Sequence, residues 1–121
     1  MSTVLIVEDS LTDQGILTLC LRDQNISVLM AKSAEEAFSK VKVNQFDLII
    51  LDVVLPDRSG FEICRELKED ASTRDIPVII CSTKGTEMDK FWGMKQGADA
   101  YLAKPIDQEE LIKTVKQLVK A

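Results

Sequence analysis

The chain has no histidine among its 121 residues. That excludes imidazole-based catalytic triads, histidine-ligated zinc and any role as a phosphohistidine carrier. It has three cysteines, Cys20, Cys64 and Cys81. The set is odd, widely spaced and flanked by apolar residues, so buried core positions fit better than a disulfide framework or a reactive thiol. An excess of basic charge is also missing. The formal net charge is −5, which argues against a nucleic-acid binder that works through a basic face. Long apolar runs are absent too. The longest clean one, Leu48 to Leu51, falls far short of the roughly 20 residues needed to cross a bilayer. The start, MSTVLIVED, lacks the basic residues and apolar stretch of a signal peptide. The expectation is a cytoplasmic protein with neither membrane nor nucleic acid as partner.

What is present reads as an ordinary globular chain, 45% hydrophobic and 29% charged, long enough to bury roughly two-thirds of its unfolded surface. No linker, repeat or low-complexity run divides it. Residues 1–121 are expected to form a single domain, with no attached effector after the last helix. Five apolar runs recur: 3–7 (TVLIV), 26–31 (ISVLMA), 47–51 (DLIIL), 76–81 (IPVIIC) and a weaker 99–103 (DAYLA). The first, third and fourth do not alternate, as expected for central strands covered on both faces.

Helical spacing separates these runs. Ser33 with Glu36, and Asp107 with Glu110, fit the capping pattern at a helix start. Ser10 can cap a helix containing Ile16, Leu17, Cys20 and Leu21. Ala34, Ala37, Phe38 and Val41 form one stripe, and Leu111, Ile112, Val115, Leu118 and Val119 another. Phe61, Cys64 and Leu67 mark a third helix. Met88, Phe91 and Trp92 mark a fourth, which Gly97 can end. Strict β-α alternation implies right-handed crossovers and a parallel sheet with helices on both sides.

In such folds chemistry gathers at the carboxyl ends of the strands. Asp52 stands there, directly after four apolar residues. A carboxylate so placed is paired, exposed at the strand's mouth or kept for chemistry. Glu8 and Asp9 end the first strand, Ser82 follows the fourth, and Lys104-Pro105 the fifth. If the first and third strands are neighbours, three carboxylates converge and repel unless a cation neutralises them. Hard oxygen ligands with room for water suit Mg2+ better than zinc or copper. Lys104 adds a fixed cation and Ser82 a hydroxyl, a set suited to phosphoryl transfer. Each piece alone has a plainer reading: helix N-terminal charges, a surface lysine, a capping serine. Their conjunction at one sheet edge favours chemistry.

The motifs VLIVEDS, LIILDVVLPDRSG, PVIICST and GADAYLAKP, in this order and spacing, resemble the CheY-like response-regulator receiver domains over essentially the whole chain. The resemblance implies a flavodoxin-like (βα)5 three-layer sandwich with strand order 2-1-3-4-5. It implies that Asp52 is the phosphoacceptor, taking a phosphoryl group from the phosphohistidine of a histidine kinase, a CheA-like one among the candidates. Mg2+ would be bound by Asp9 and Asp52, by Glu8 through water and by the Val54 backbone carbonyl. Lys104 would contact the phosphoryl group, with Pro105 behind it in a cis peptide. Ser82 would turn onto a phosphoryl oxygen and Tyr101 would move inward behind it. The readout would be a partner protein docking on the fourth helix, fifth strand and fifth helix. The stretch STKGTEMDKFWGMKQGADAYLAKPID is similar to the PilH-like branch of single-domain regulators in pilus-based motility and phototaxis, which implies that Phe91 and Trp92 face a partner.

Some positions depart from the best-known chemotaxis pattern. Glu8 stands for the common aspartate. Val54 and Lys84 flank the approach of a hydrolytic water, and an apolar Val54 cannot orient it, so slow self-dephosphorylation is expected. Thr83 is larger than usual beside the switch serine. The rival reading is a constitutive binding module of the same fold whose site is silent. A phosphatase or mononucleotide binder is disfavoured, since Val54 breaks a D-x-D after the third strand and no glycine-rich phosphate loop is present.

Overall fold

The computed structural model describes residues 2–119. Their order is β1 (Ser2–Val7), α1 (Leu11–Arg22), β2 (Ile26–Ala31), α2 (Ala34–Val43), β3 (Leu48–Leu51), α3 (Gly60–Glu69), β4 (Val78–Ser82), α4 (Glu87–Lys95), β5 (Ala100–Ala103) and α5 (Gln108–Leu118). All strands pair in parallel, in the order β2-β1-β3-β4-β5. The expected sandwich and strand order are therefore what the chain builds.

Alternation along each strand feeds two cores. Leu5, Val7, Ile49, Leu51, Val78 and Ile80 pack with Ala34, Ala37, Ile63, Cys64 and Leu67 under α2 and α3. Val4, Ile6, Leu48, Ile50, Ile79 and Cys81 pack with Leu17, Cys20, Leu21, Leu111 and Val115 under α1 and α5. Because both faces are covered, the central strands carry apolar residues without a polar alternate. The three cysteines are buried and unpaired. Burial pushes the Cys64 thiol up to about 11 and the Cys81 thiol up to about 12, so both stay protonated and act as small core residues.

Helix starts follow the sequence signals. Ser10, Ser33 and Asp107 each accept a hydrogen bond from the backbone N–H three residues on. Gly97 closes α4 with a positive φ of 100°, the left-handed position that glycine occupies at low cost.

One expectation shifts. β4 begins at Val78 rather than Ile76, because Pro77 has no N–H to donate and the Ile76 N–H turns back to the Thr73 carbonyl at 3.0 Å. The strand instead runs on to Ser82. On α4, Met88, Phe91, Trp92 and Met94 are exposed, and the buried residue of the helix is Gly93.

Candidate functional site

Three backbone hydrogen bonds carry the sheet ladder one step past its strands. The Glu8 N–H donates to the Ala31 carbonyl at 2.9 Å, the Asp52 N–H to Val7 at 3.0 Å and the Lys104 N–H to Ser82 at 2.9 Å. The side chains that follow β1, β3 and β5 thus leave the same edge of the sheet from fixed positions. β1 and β3 are neighbours, with Val7 opposite Leu51, so Glu8 and Asp52 stand side by side.

Lys104 occupies the space between them. Its Nζ donates to Glu8 Oε1 at 2.5 Å, to Asp13 Oδ2 at 2.8 Å and to Asp52 Oδ2 at 2.9 Å. An ammonium has three N–H donors, so the lysine is saturated. Its side chain is only 6% exposed. Burial alone would lower its pKa; the hydrogen bonds to Asp13, Glu8 and Asp52 outweigh this and raise it. Glu8, 2% exposed, has its pKa raised, first by burial and further by the Asp52 charge, against the lowering effect of Lys104 and the Ser10 N–H. The second oxygen of Asp52, Oδ1, accepts from the Val54 N–H at 3.2 Å.

The start of α1 is clasped to this edge. Gln14 Nε2 donates to the Glu8 carbonyl at 2.5 Å, Glu8 Oε2 accepts from the Ser10 N–H at 3.1 Å, and Ser10 Oγ accepts from the Asp13 N–H at 3.3 Å. Opposite, Ser82 is fully buried, and its Oγ accepts from the Lys84 N–H at 3.2 Å. The Tyr101 hydroxyl donates to the Lys84 carbonyl, and its ring lies against α4. A Cβ added at Gly93 would sit 2.7 Å from Tyr101 Cδ2, so glycine there admits the ring. Burial pushes the Tyr101 hydroxyl up to about 12. Thr83 is exposed and Gly85 approaches Ala103 closely. The Lys104–Pro105 peptide is cis.

Glu8, Asp52 and Lys104 therefore meet, with Ser82 and Tyr101 on the β4–β5 side. Asp9 does not join them: it is exposed and makes no side-chain hydrogen bond or ion pair among the described residues. The carboxylate that completes the group is Asp13, which the sequence reading passed over. A signal was available. Asp13 stands three residues after the cap Ser10, and helical side chains lean toward the helix N-terminus, which here is the strand edge. Gln14 was missed as well, and nothing in its local pattern marks it.

Glu8, Asp9 and Asp52 offer carboxylates, while the Val53 carbonyl is taken by the Gly60 N–H at 2.8 Å and the Val54 carbonyl accepts no backbone N–H among the described residues. These hard oxygens fit magnesium. They are not gathered around one point, however, and no cluster of three or more metal-ligating side chains exists among the described residues. Lys104 supplies the neutralising charge in their midst.

The profile of the response regulator receiver domain matches residues 4–116. Protein PilH of Pseudomonas aeruginosa is 40% identical over 119 residues, covering 98% of both chains. Other curated relatives are longer, and the chain spans about half their length, 53% of one of them. A crystal structure assigned as a response regulator from Chloroflexus aurantiacus superposes with a TM-score of 0.94 at 35% identity, covering 98% of this chain and 97% of that one. The receiver domain of the sensor histidine kinase PA1611 from Pseudomonas aeruginosa, solved with magnesium in its active-site cleft, gives a TM-score of 0.89, covering 99% and 98% of the two chains. At 24% identity it speaks for the fold.

Proposed function

The chain belongs to the family of response regulator receiver domains, and from that premise we propose that Asp52 is its phosphoacceptor. Members of the family are signalling modules rather than conventional enzymes. They receive phosphoryl groups from histidine kinases and act on downstream proteins. The observation that carries the assignment here is the placement of Asp52: a nearly buried carboxylate at the end of β3, hydrogen-bonded to a buried lysine at 2.9 Å and standing beside Glu8.

In this reading an Asp52 carboxylate oxygen attacks the phosphorus of a phosphohistidine. The P–N bond breaks as the P–O bond forms, the imidazole leaves with the electron pair, and an acyl phosphate results. Lys104 holds the carboxylate in place and offers its ammonium to the phosphoryl oxygens. Mg2+ would be held by Asp9 and Asp52, by Glu8 through water and by the Val54 carbonyl. When bound, it supplies positive charge against the developing charge of the transferred group. Ser82 Oγ already accepts from Lys84, so its hydroxyl proton is the part that can turn to a new acceptor.

The new phosphoryl group adds about two negative charges and three acceptor oxygens. Turning Ser82 toward it disturbs the Lys84 N–H, and the Lys84 carbonyl holds Tyr101. The partner then docks on α4, β5 and α5, where Phe91 is 57% and Trp92 51% exposed. Exposed aromatic side chains on one short helix suit a protein–protein contact. The 40% identity to PilH supports a place in pilus-based motility or taxis; in this reading the donor is a CheA-like kinase and the setting the cytoplasm. Val54 is 51% exposed and offers an attacking water no hydrogen bond, so self-dephosphorylation is slower than in a Val54→Asn variant.

Incubation with acetyl phosphate and magnesium, resolved on phosphate-affinity gels, tests the assignment. A shifted band is expected for the wild type and none for Asp52→Asn. No shift, or the same shift in the variant, sinks the assignment and favours a constitutive binding module.

A further inference from the structure

We propose that Asp13 is a positioning residue for Lys104, a placeholder anion that the phosphoryl group displaces; the inference rests on the phosphoacceptor reading of Asp52. All three donors of Lys104 are committed, to Glu8, Asp13 and Asp52. An incoming phosphoryl oxygen can reach the ammonium only if one of these bonds opens. The three carboxylates differ in what release costs them. Glu8 is 2% exposed, the most deeply buried of the three and the costliest to release to water. Asp52 is 9% exposed and carries the phosphoryl group itself. Asp13 is 30% exposed, so water solvates it as it leaves.

Its position suits such an exchange. Ser10 holds the Asp13 backbone N–H, and Gln14 ties the same helical turn to the Glu8 carbonyl. The backbone of Asp13 is therefore fixed while its carboxylate is free to turn outward. In the resting protein Asp13 keeps the Lys104 ammonium aimed at the pocket and hydrogen-bonded. On phosphorylation the carboxylate departs and the phosphoryl oxygen inherits the third N–H. Asp13 thus holds the site ready and at the same time competes with its occupant.

The test titrates wild type, Asp13→Asn and Asp13→Glu with the phosphoryl mimic beryllofluoride in magnesium buffer, and separately with magnesium alone. Losing an anion that competes for Lys104 should tighten beryllofluoride about fivefold in Asp13→Asn, the factor equivalent to a partly exposed ion pair worth about 1 kcal/mol. Magnesium alone should bind no tighter, because a negative charge has been removed. Asp13→Glu keeps the anion and should restore wild-type affinity for beryllofluoride. A general loosening of α1 would not move the two ligands differently, nor be rescued by Asp13→Glu. Should Asp13→Asn fail to fold, Asp13→Ser removes the charge with a residue suited to a first helical turn. Beryllofluoride binding in the uncharged variants no tighter than in the wild type, or as tight in Asp13→Glu as in Asp13→Asn, overturns the placeholder while leaving Asp52 as acceptor. A wild type that binds no beryllofluoride overturns both.

Discussion

Carboxylates guard both edges of the sheet, but they are satisfied in different ways. At the amino edge Asp47 Oδ2 accepts from the Thr3 N–H at 2.8 Å, and Asp99 Oδ2 accepts from the Val78 N–H at 2.8 Å and from Lys68 Nζ at 2.9 Å. These donors belong mostly to the backbone, and neither carboxylate is buried. At the carboxyl edge Glu8, Asp13 and Asp52 share one side-chain donor, Lys104. Backbone donors are as permanent as the fold, whereas a lysine on a flexible stem can change partners. One edge is built to close strands and the other to exchange ligands.

Removing Lys104 should separate the edges most. Lys104→Met strands buried Glu8 beside Asp52, and loss of one partner of a buried pair costs about 3 kcal/mol. Urea unfolding at pH 7 should show that loss as a lower midpoint with an unchanged slope. A midpoint like the wild type would mean that the carboxylates never depended on the lysine. Asp99→Ala should cost less, about 1 kcal/mol, since it strands one strand-end N–H, while Lys68 keeps the Ile76 and Arg74 carbonyls as acceptors. Asp47→Ala exposes its single N–H to water and should cost about 0.5 kcal/mol by the same measurement.

The smallest effect separates the edges by pH. Glu8 has its pKa raised above the ordinary 4.5, chiefly by burial. The folded state therefore holds that proton more tightly than the unfolded chain. Its contribution to stability is fullest below pH 4.5 and declines as pH rises through the raised folded value. Glu8→Gln should flatten this decline in urea midpoints taken across that window, and Asp47→Ala should leave it in place. A decline that persists in Glu8→Gln assigns it to other groups.

Much of the site was legible because strand ends are easy to find. The apolar runs ending at Val7 and Leu51 set Glu8 and Asp52 on one edge, and the short DAYLA run delivered Lys104 to it. Strand periodicity fixes where a side chain emerges, but not what it touches. The expected crowd of Glu8, Asp9 and Asp52 became Glu8, Asp13 and Asp52 on a lysine, because Asp9 faces solvent while the first turn of α1 folds back over the edge. Tertiary closure of that kind depends on Gln14 reaching the Glu8 carbonyl, a contact without a local pattern. The inward face of α4 was equally hard to read. Its apolar spacing fits a helix, but a glycine takes the inner position, where the Tyr101 ring needs the space.

The three backbone bonds that carry the ladder past Val7, Leu51 and Ala103 have a practical consequence. Each site residue is fastened by its main chain, so its side chain can be exchanged while its anchor stays where it was. The rim behaves as a socket with fixed terminals. An engineer can rewrite the chemistry at positions 8, 52 and 104 one residue at a time, but inserting or deleting a single residue within a strand swaps the faces of the sheet and misplaces every terminal beyond it.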